Sequence, residues 1–309
     1  MRITELTTTS VRGLRDGTWS FGATGAPSQR STTIVTGPAG AGTTTFLEAI
    51  ALSCRRLATG VAMPPVQDVL RAGDRAAFLR SQWLLDADEM AFGGVSTDLV
   101  SAEVVVQREG LGRLLADPAL LGLMSRYDHS PALSKVVLIP ARRVTDGAMS
   151  GFADLETQLR FSRLNPEPSK FDGLPSALAA LGSKLPEARY AAVGRLMREL
   201  VPTVQLAVTS PTMLEFALPS GMQVPLHALG FAERNAFVLA ACVVLMGLQR
   251  SVVLLDTPEM GLPPGVAAHW LRALRGAAPE AQWIVASRDP GVIQSVEPMD
   301  RIELRGLAS

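Results

Sequence analysis

The chain has 309 residues, 47% of them apolar, which is enough for one large domain or two small ones with a sizeable core. Its 29 basic and 29 acidic residues cancel, and the sequence pI is near 6.9. That balance excludes a surface built throughout to hold nucleic acid, though a local basic patch stays open. Two cysteines, Cys54 and Cys242, with no C-x-x-C pair and no His/Cys cluster, exclude a disulfide framework or an obvious metal site and read as buried thiols.

Among the basic residues only Lys135, Lys170 and Lys184 are lysines, a bias that points to genome composition rather than to phosphate recognition. Residues 2 to 9 alternate as a strand with a charge in it, unlike a secretory signal. No apolar run reaches the length of a membrane span, so a cytoplasmic protein with no membrane partner is expected. Val11-Arg-Gly-Leu14 leads through a turn to a second short strand. Thr32 to Thr36 is a β-branched strand, and Phe46 to Ala58 carries a helical apolar face of Phe46, Leu47, Ile50, Leu52 and Leu57 that Met63-Pro-Pro65 breaks. Residues 66 to 98 read as mixed helix and loop, 101 to 107 as strand, 111 to 126 as helix, and 135 to 139 as a short strand ending in Pro140-Ala-Arg-Arg143. Helical pieces are expected at 152 to 163 and 174 to 200, joined by the turn-rich 165 to 173, with no heptad repeat long enough for a coiled-coil arm.

The last third is the most legible. Strands are expected at 204 to 208, 213 to 218 and 223 to 226, then an alanine-rich helix over 230 to 248. Ser251 to Leu255 is a near-continuous apolar run of the kind found in parallel strands buried on both faces. A helix near 264 to 277, a strand at 282 to 286 and a terminal strand at 300 to 304 complete an α/β pattern with a mostly parallel sheet.

Chemistry concentrates where the strand at 32 to 36 meets the following helix. Gly37, Pro38, Ala39, Gly40, Ala41, Gly42, Thr43, Thr44 and Thr45 fit the phosphate-cradling pattern G-x-x-x-x-G-K-[ST], except that the lysine position holds Thr43. Glycines let successive N–H groups converge on phosphate oxygens, and the helix start adds unpaired donors and the positive end of its dipole.

This stretch resembles the Gly-Pro-Asn-Gly-Ala-Gly-Lys-Thr-Thr segment of ABC-type ATPase heads in the RecF, SMC and OLD-like families. The resemblance covers most of residues 1 to 60 and 200 to 309. It implies a P-loop NTPase fold of ABC-head type, with a mostly parallel central sheet, an antiparallel β subdomain and a helical insertion. The expected division of this single head is a P-loop lobe at 1 to 60, an inserted helical and mixed subdomain at 61 to 200, and a C-terminal lobe at 201 to 309. ATP and Mg2+ are the implied ligands.

By the same resemblance Thr44 takes the place of the magnesium-binding hydroxyl. Asp256, ending Val252-Val-Leu-Leu-Asp256, takes that of the Walker B aspartate, and Gln82 is the nearest candidate for the magnesium-sensing glutamine, with a surface glutamine as the plainer reading. Arg12 or Arg15 would lie near the adenine, or be solvated arginines at a turn. Leu229-Gly-Phe-Ala-Glu-Arg234 resembles the signature segment with which one head grips a nucleotide held by its partner: Glu233 and Arg234 match, while Gly230 and Ala232 replace its serine and glycine. Ala286-Ser-Arg-Asp-Pro290 resembles the switch-histidine region, with Arg288 for the histidine. Thr257 stands where relatives keep the water-activating glutamate, with Glu259 two residues on.

The four departures, at Thr43, Gly230, Thr257 and Arg288, touch phosphate charge, trans recognition, water activation and γ-phosphate sensing. Since positioning and charge stabilisation make up nearly all of phosphoryl-transfer catalysis, their loss implies a pseudo-ATPase. It would bind ATP weakly or not at all and act as a regulatory or structural partner in a DNA-repair or phage-defence setting. A homodimer or a complex with another protein is expected, with DNA reached through that complex. The alternative is an active ATPase in which Glu259 and Arg288 replace the missing groups.

Overall fold

The computed structural model describes residues 1–21, 32–58, 63–109, 112–128, 136–143, 162–182, 188–210 and 213–306. In chain order the first elements are β1 (Arg2–Thr9), β2 (Gly17–Ser20), β3 (Thr32–Thr36), α1 (Thr43–Leu57), α2 (Val66–Val69), β4 (Ala76–Leu84) and α3 (Ala87–Gly93). Then come β5 (Leu99–Gln107), β6 (Arg113–Ala116), α4 (Pro118–Asp128), β7 (Val136–Ile139), α5 (Leu174–Gly182) and α6 (Ala188–Leu200). The remainder is β8 (Gln205–Ser210), β9 (Met213–Ala217), β10 (Gln223–Pro225), α7 (Phe231–Leu245), β11 (Val252–Asp256), α8 (Val266–Ala277), β12 (Gln282–Ala286), α9 (Pro290–Gln294) and β13 (Arg301–Glu303).

The central sheet has the order β13-β3-β12-β11-β7, and all its pairings are parallel. β11 and the Trp283–Ala286 stretch of β12 read as apolar runs because both faces of the sheet are covered, and β3 is β-branched throughout. Val252 and Leu254 point into one core with Phe46, Leu47 and Ile50 of α1, while Val253 and Leu255 point into another with Phe237 of α7 and Trp270 of α8. A second sheet, β2-β1-β4-β5-β6, is antiparallel. Its inward residues, among them Ile3, Leu6, Leu79, Trp83 and Val104, close over the other side of α1, so that helix is buried between two sheets. The third sheet, β10-β9-β8, is also antiparallel, and Phe216 of β9 meets Phe237 edge-on.

One side chain stitches the first two sheets together. Gln282 at the start of β12 accepts from the Ile3 N–H and donates to the Ile3 carbonyl, both at 2.9 Å, in place of a strand neighbour.

Several expectations change here. The stretch 66 to 98, expected as helix and loop, contains the nine-residue strand β4, and 113 to 116, expected as helix, is strand β6. Of the helix expected over 174 to 200, residues 174–182 and 188–200 are helical and 183–187 lie outside the described residues, as does most of the piece expected at 152 to 163. The sheets also cut across the three-part division of the chain. β7, from the middle part, belongs to the parallel sheet, while β1 pairs with β4 of the middle part and carries β2 on its other edge. Both cysteines are buried thiols outside any disulfide. No helix of the described residues is long and apolar enough to cross a membrane.

Candidate functional site

β3 delivers the chain into a turn whose glycines are required by contact as well as by backbone angle. A Cβ on Gly37 would lie 2.6 Å from the Leu304 carbonyl oxygen, and one on Gly42 would lie 2.2 Å from that of Gly13. Gly40 and Gly42 have φ of 80° and 89°, in the left-handed region open to glycine. Ala41 closes the turn by donating its N–H to the Pro38 carbonyl, while Pro38, Ala39 and Gly40 stay exposed.

α1 begins at Thr43, and its first intrahelical bond runs from the Phe46 N–H to the Gly42 carbonyl at 2.8 Å. The N–H groups of Thr43, Thr44 and Thr45 therefore have no acceptor within the helix, and glycine at the cap position offers no side chain to bond them. Exposed donors at a helix start, beside a glycine turn, fit a phosphate group. Thr43 itself is turned inward, 8% exposed.

The second wall is the end of β11. Asp256 is 2% exposed and accepts two hydroxyl bonds, from Thr44 Oγ1 at 2.9 Å and from Thr257 Oγ1 at 3.0 Å. Burial pushes its carboxyl above the usual range against the pull of those hydroxyls and of Arg143. A hydroxyl and a carboxylate in this contact fit the protein side of a magnesium site, since hard cations take oxygen ligands. Glu48, one turn beyond Thr44 on the same helix, is raised too, by burial first and then by the Asp256 charge. It lines a groove of about 540 Å³ with Thr45, Arg12, Arg55 and Asp68. Arg12 is exposed and reaches Asp68 at 3.4 Å; Arg15 is exposed as well.

Beyond Asp256 the chain turns sharply. Thr257 has φ of 46°, unusual for a β-branched residue, and its N–H donates to the Ala286 carbonyl at 2.8 Å. Glu259 accepts two bonds from one loop: one carboxylate oxygen accepts from Ser287 Oγ at 2.9 Å and the other from the Arg288 N–H at 2.8 Å. It fastens the loop after β12 to the loop after β11. Ser287 donates its own N–H to the Val35 carbonyl at 3.0 Å, so Arg288 follows directly on the neighbour of the P-loop strand, with its side chain exposed.

The segment at 230 to 234 opens α7 with Gly230 as N-cap. The Glu233 carboxylate folds back over it, 2.4 Å from where a Gly230 Cβ would stand, so a serine there would displace it. The missing side chain thus makes room for the protein's own negative charge at the helix mouth. Gly230 and Glu233 connect to Asp256 only indirectly among the described residues. The Phe231 ring packs on Gly261, and Asn235 bonds both Met260 and Arg143.

Gln82 does not join the site. It lies in the middle of β4 and alternates with the inward Ser81 and Trp83, on the outward face that carries Phe78 and Arg80, because side chains along a strand switch faces at every residue.

The sequence reading missed the residue that organises this end of the sheet. Arg143 is fully buried four residues after β7, and its guanidinium donates to the carbonyls of Pro140 (3.0 Å), Asp256 (2.7 Å), Thr257 (3.0 Å) and Pro258 (3.4 Å) and to Asn235 Oδ1 (2.5 Å). Burial pulls its pKa down to about 10, and the Asp256 and Glu259 carboxylates oppose that pull. The only hint in the sequence is an arginine placed just after a buried strand.

No protein-family model matches the chain, and no curated protein does. Solved structures do resemble it. One is an Smc head bound to the C-winged helix domain of ScpA, with TM-score 0.65 at 14% identity over 99% of this chain and 98% of that one. A head domain with an extended coiled coil, bound to the C-terminal domain of ScpA and derived from Pyrococcus furiosus, gives 0.61 at 13% identity over 99% and 96%. The SMC head domain from Thermotoga maritima gives 0.50 at 14% identity over 96% and 93%. The chain therefore has the fold of an SMC head, an ABC-like P-loop α/β fold.

Proposed function

We propose that this protein is a head of the RecF and SMC type that holds ATP and Mg2+ weakly, hydrolyses ATP poorly and works as a regulatory or structural partner in a DNA-repair or phage-defence complex. The observation that carries the reading is the bond from Thr44 to Asp256, which joins phosphate turn to strand end, while threonines occupy 43 and 257. In this reading the binding frame is kept, while threonines stand at the positions of the phosphate-neutralising lysine and the water-activating glutamate.

In this reading the turn at 37 to 42 and the first N–H groups of α1 hold phosphate oxygens. Thr44 and Asp256 hold Mg2+, and the groove beside Thr45 and Arg12 receives the base and sugar. Bound Mg2+ would supply positive charge to the phosphates. Glu259 would have to share its carboxylate with the 287–288 loop, whose Ser287 hydroxyl and Arg288 N–H it already binds, to act as a base. That counts against the alternative of an altered but active ATPase. Heads of this fold that were solved with a ScpA domain support the idea that the surface accepts a protein partner, either a second copy or a separate chain.

Calorimetry with ATP and Mg2+, followed by a phosphate-release assay, tests the proposal. Weak binding with turnover near background is expected. Turnover in the ordinary ATPase range, abolished by Asp256→Ala, would refute it. Melting unmoved by millimolar nucleotide would leave a docking platform instead.

A further inference from the structure

Arg143 has an unusual set of partners. A fully buried guanidinium would ordinarily face a carboxylate; this one spends its donors on backbone carbonyls from two separate segments and on one amide oxygen. Three of those carbonyls, at Asp256, Thr257 and Pro258, are consecutive and span the left-handed Thr257. A β-branched residue held at positive φ persists only where its surroundings over-determine it. The surroundings here are Arg143 on one side and the Ala286 carbonyl on the other. Thr257 in turn directs its hydroxyl onto Asp256. The planar fork of arginine can reach such a spread of acceptors; a lysine ammonium cannot.

Through Asn235 the same guanidinium extends to α7. Asn235 is completely buried, accepts from Arg143 Nε and donates to the Met260 carbonyl at 3.4 Å. Four residues earlier the Phe231 ring fills the space that a side chain on Gly261 would take. The start of α7 and the turn after β11 are thus one mechanical unit with Arg143 at its centre.

We propose that Arg143 is a positioning residue for the metal side of the site: it fixes the turn at 256 to 258 so that Asp256 is presented to the cation beside Thr44, and it ties that turn to the segment at 230 to 235. The proposal rests on the nucleotide and magnesium reading above and adds to it the residue that shapes the cation's carboxylate. The Arg143 guanidinium gives its bonds to Pro140, the 256–258 turn and Asn235, and so acts on the site through the turn. Its effect is therefore on the magnesium-dependent part of binding, and the phosphate turn is left alone.

The test measures ATP affinity with Mg2+ and with EDTA for the wild type, Arg143→Lys, Arg143→Met and Asn235→Ala. It adds hydrogen exchange on peptides covering 252–262, 230–240 and 37–50. For Arg143→Lys and Arg143→Met alike, the gain in affinity due to Mg2+ should shrink about tenfold, with EDTA affinity within about twofold of wild type, as one or two lost bonds would give. Asn235→Ala, which spares the carbonyl bonds, should give a smaller loss of the same kind. Exchange should quicken in 252–262 and 230–240 together and stay unchanged in 37–50.

Adding Thr257→Asn, which tolerates positive φ and keeps a donor, should recover part of the magnesium effect in Arg143→Met. An Arg143→Lys protein indistinguishable from wild type would overturn the proposal, since charge alone would then suffice. So would faster exchange confined to one of the two segments. Should the Arg143 variants fail to fold, Asn235→Ala decides, and an unchanged magnesium effect together with unchanged exchange overturns it. If the wild type binds no ATP under either condition, the reading of the site falls, and the exchange pattern still decides the role of Arg143.

Discussion

Gly42 offers a direct test of whether the phosphate turn is built as described. At φ 89° an alanine pays the left-handed cost of about 1–2 kcal/mol. Its Cβ would also stand 2.2 Å from the Gly13 carbonyl oxygen and 2.9 Å from a Leu14 methyl, so the 11–14 loop must shift, at about 1–3 kcal/mol. Together Gly42→Ala should cost roughly 2–5 kcal/mol, a fall in melting temperature of roughly 4–20 °C for a chain of this size. Gly40→Ala is the matched control. It has φ of 80° with nothing within 4 Å of a new Cβ, so only the backbone cost of about 1–2 kcal/mol applies. Thermal unfolding of the nucleotide-free proteins, followed by circular dichroism, reads the difference. If the two variants melt together, the 11–14 loop does not press on the turn, and the geometry assigned to the cradle is wrong.

Asp256→Asn should raise the melting temperature of the ligand-free protein by a few degrees at pH 7 while abolishing any stabilisation by Mg2+ and ATP, because burial holds the native carboxyl above its ordinary value. By the same sign, wild-type stability should climb as pH falls from that raised value towards 3.8, and Asp256→Asn should flatten this segment of a denaturant-measured pH profile. Arg288→Ala, at an exposed position, should leave melting unchanged and weaken ATP binding about three- to tenfold; unaltered affinity in calorimetry would end the idea that Arg288 replaces the missing lysine charge. Glu259→Gln should lower stability to urea by about 1–3 kcal/mol through its bonds to Ser287 and Arg288 without affecting turnover, whereas a drop in phosphate release would restore Glu259 as a base.

The parallel half of the fold was legible because its signals are local. β11 and β12 are short apolar runs buried on both faces, and the glycine turn before α1 is written in consecutive residues. β4 escaped for a physical reason. Along Ala-Ala-Phe-Leu-Arg-Ser-Gln-Trp-Leu the outward Phe78 is apolar and the inward Ser81 polar, which scrambles the alternation. Ser81 is at home inside because it accepts the Trp83 indole N–H at 2.9 Å, a contact that no periodicity encodes. β6 is only four residues, too short for period two to be told from a helical turn. Of the site, the phosphate turn and Asp256 could be read, whereas the burial of Arg143 depends on acceptors drawn from beyond its own stretch of chain. The capture of Glu259 by Ser287 and Arg288 is hidden for the same reason.

The strand order of the central sheet has a consequence for synthesis. Among the described residues β3, which carries the phosphate turn, pairs with β12 and β13, and β7 pairs with β11, so these parallel contacts wait until β11 to β13 have been made. On a ribosome moving at about 5–20 residues per second, the first glycines of the turn precede their supporting strands by on the order of 10–50 s. A nascent chain therefore has no pocket to occupy, and ATP cannot guide its early folding. Until β12 and β13 emerge, β3 is an unpaired strand, the kind of segment that a chaperone shields.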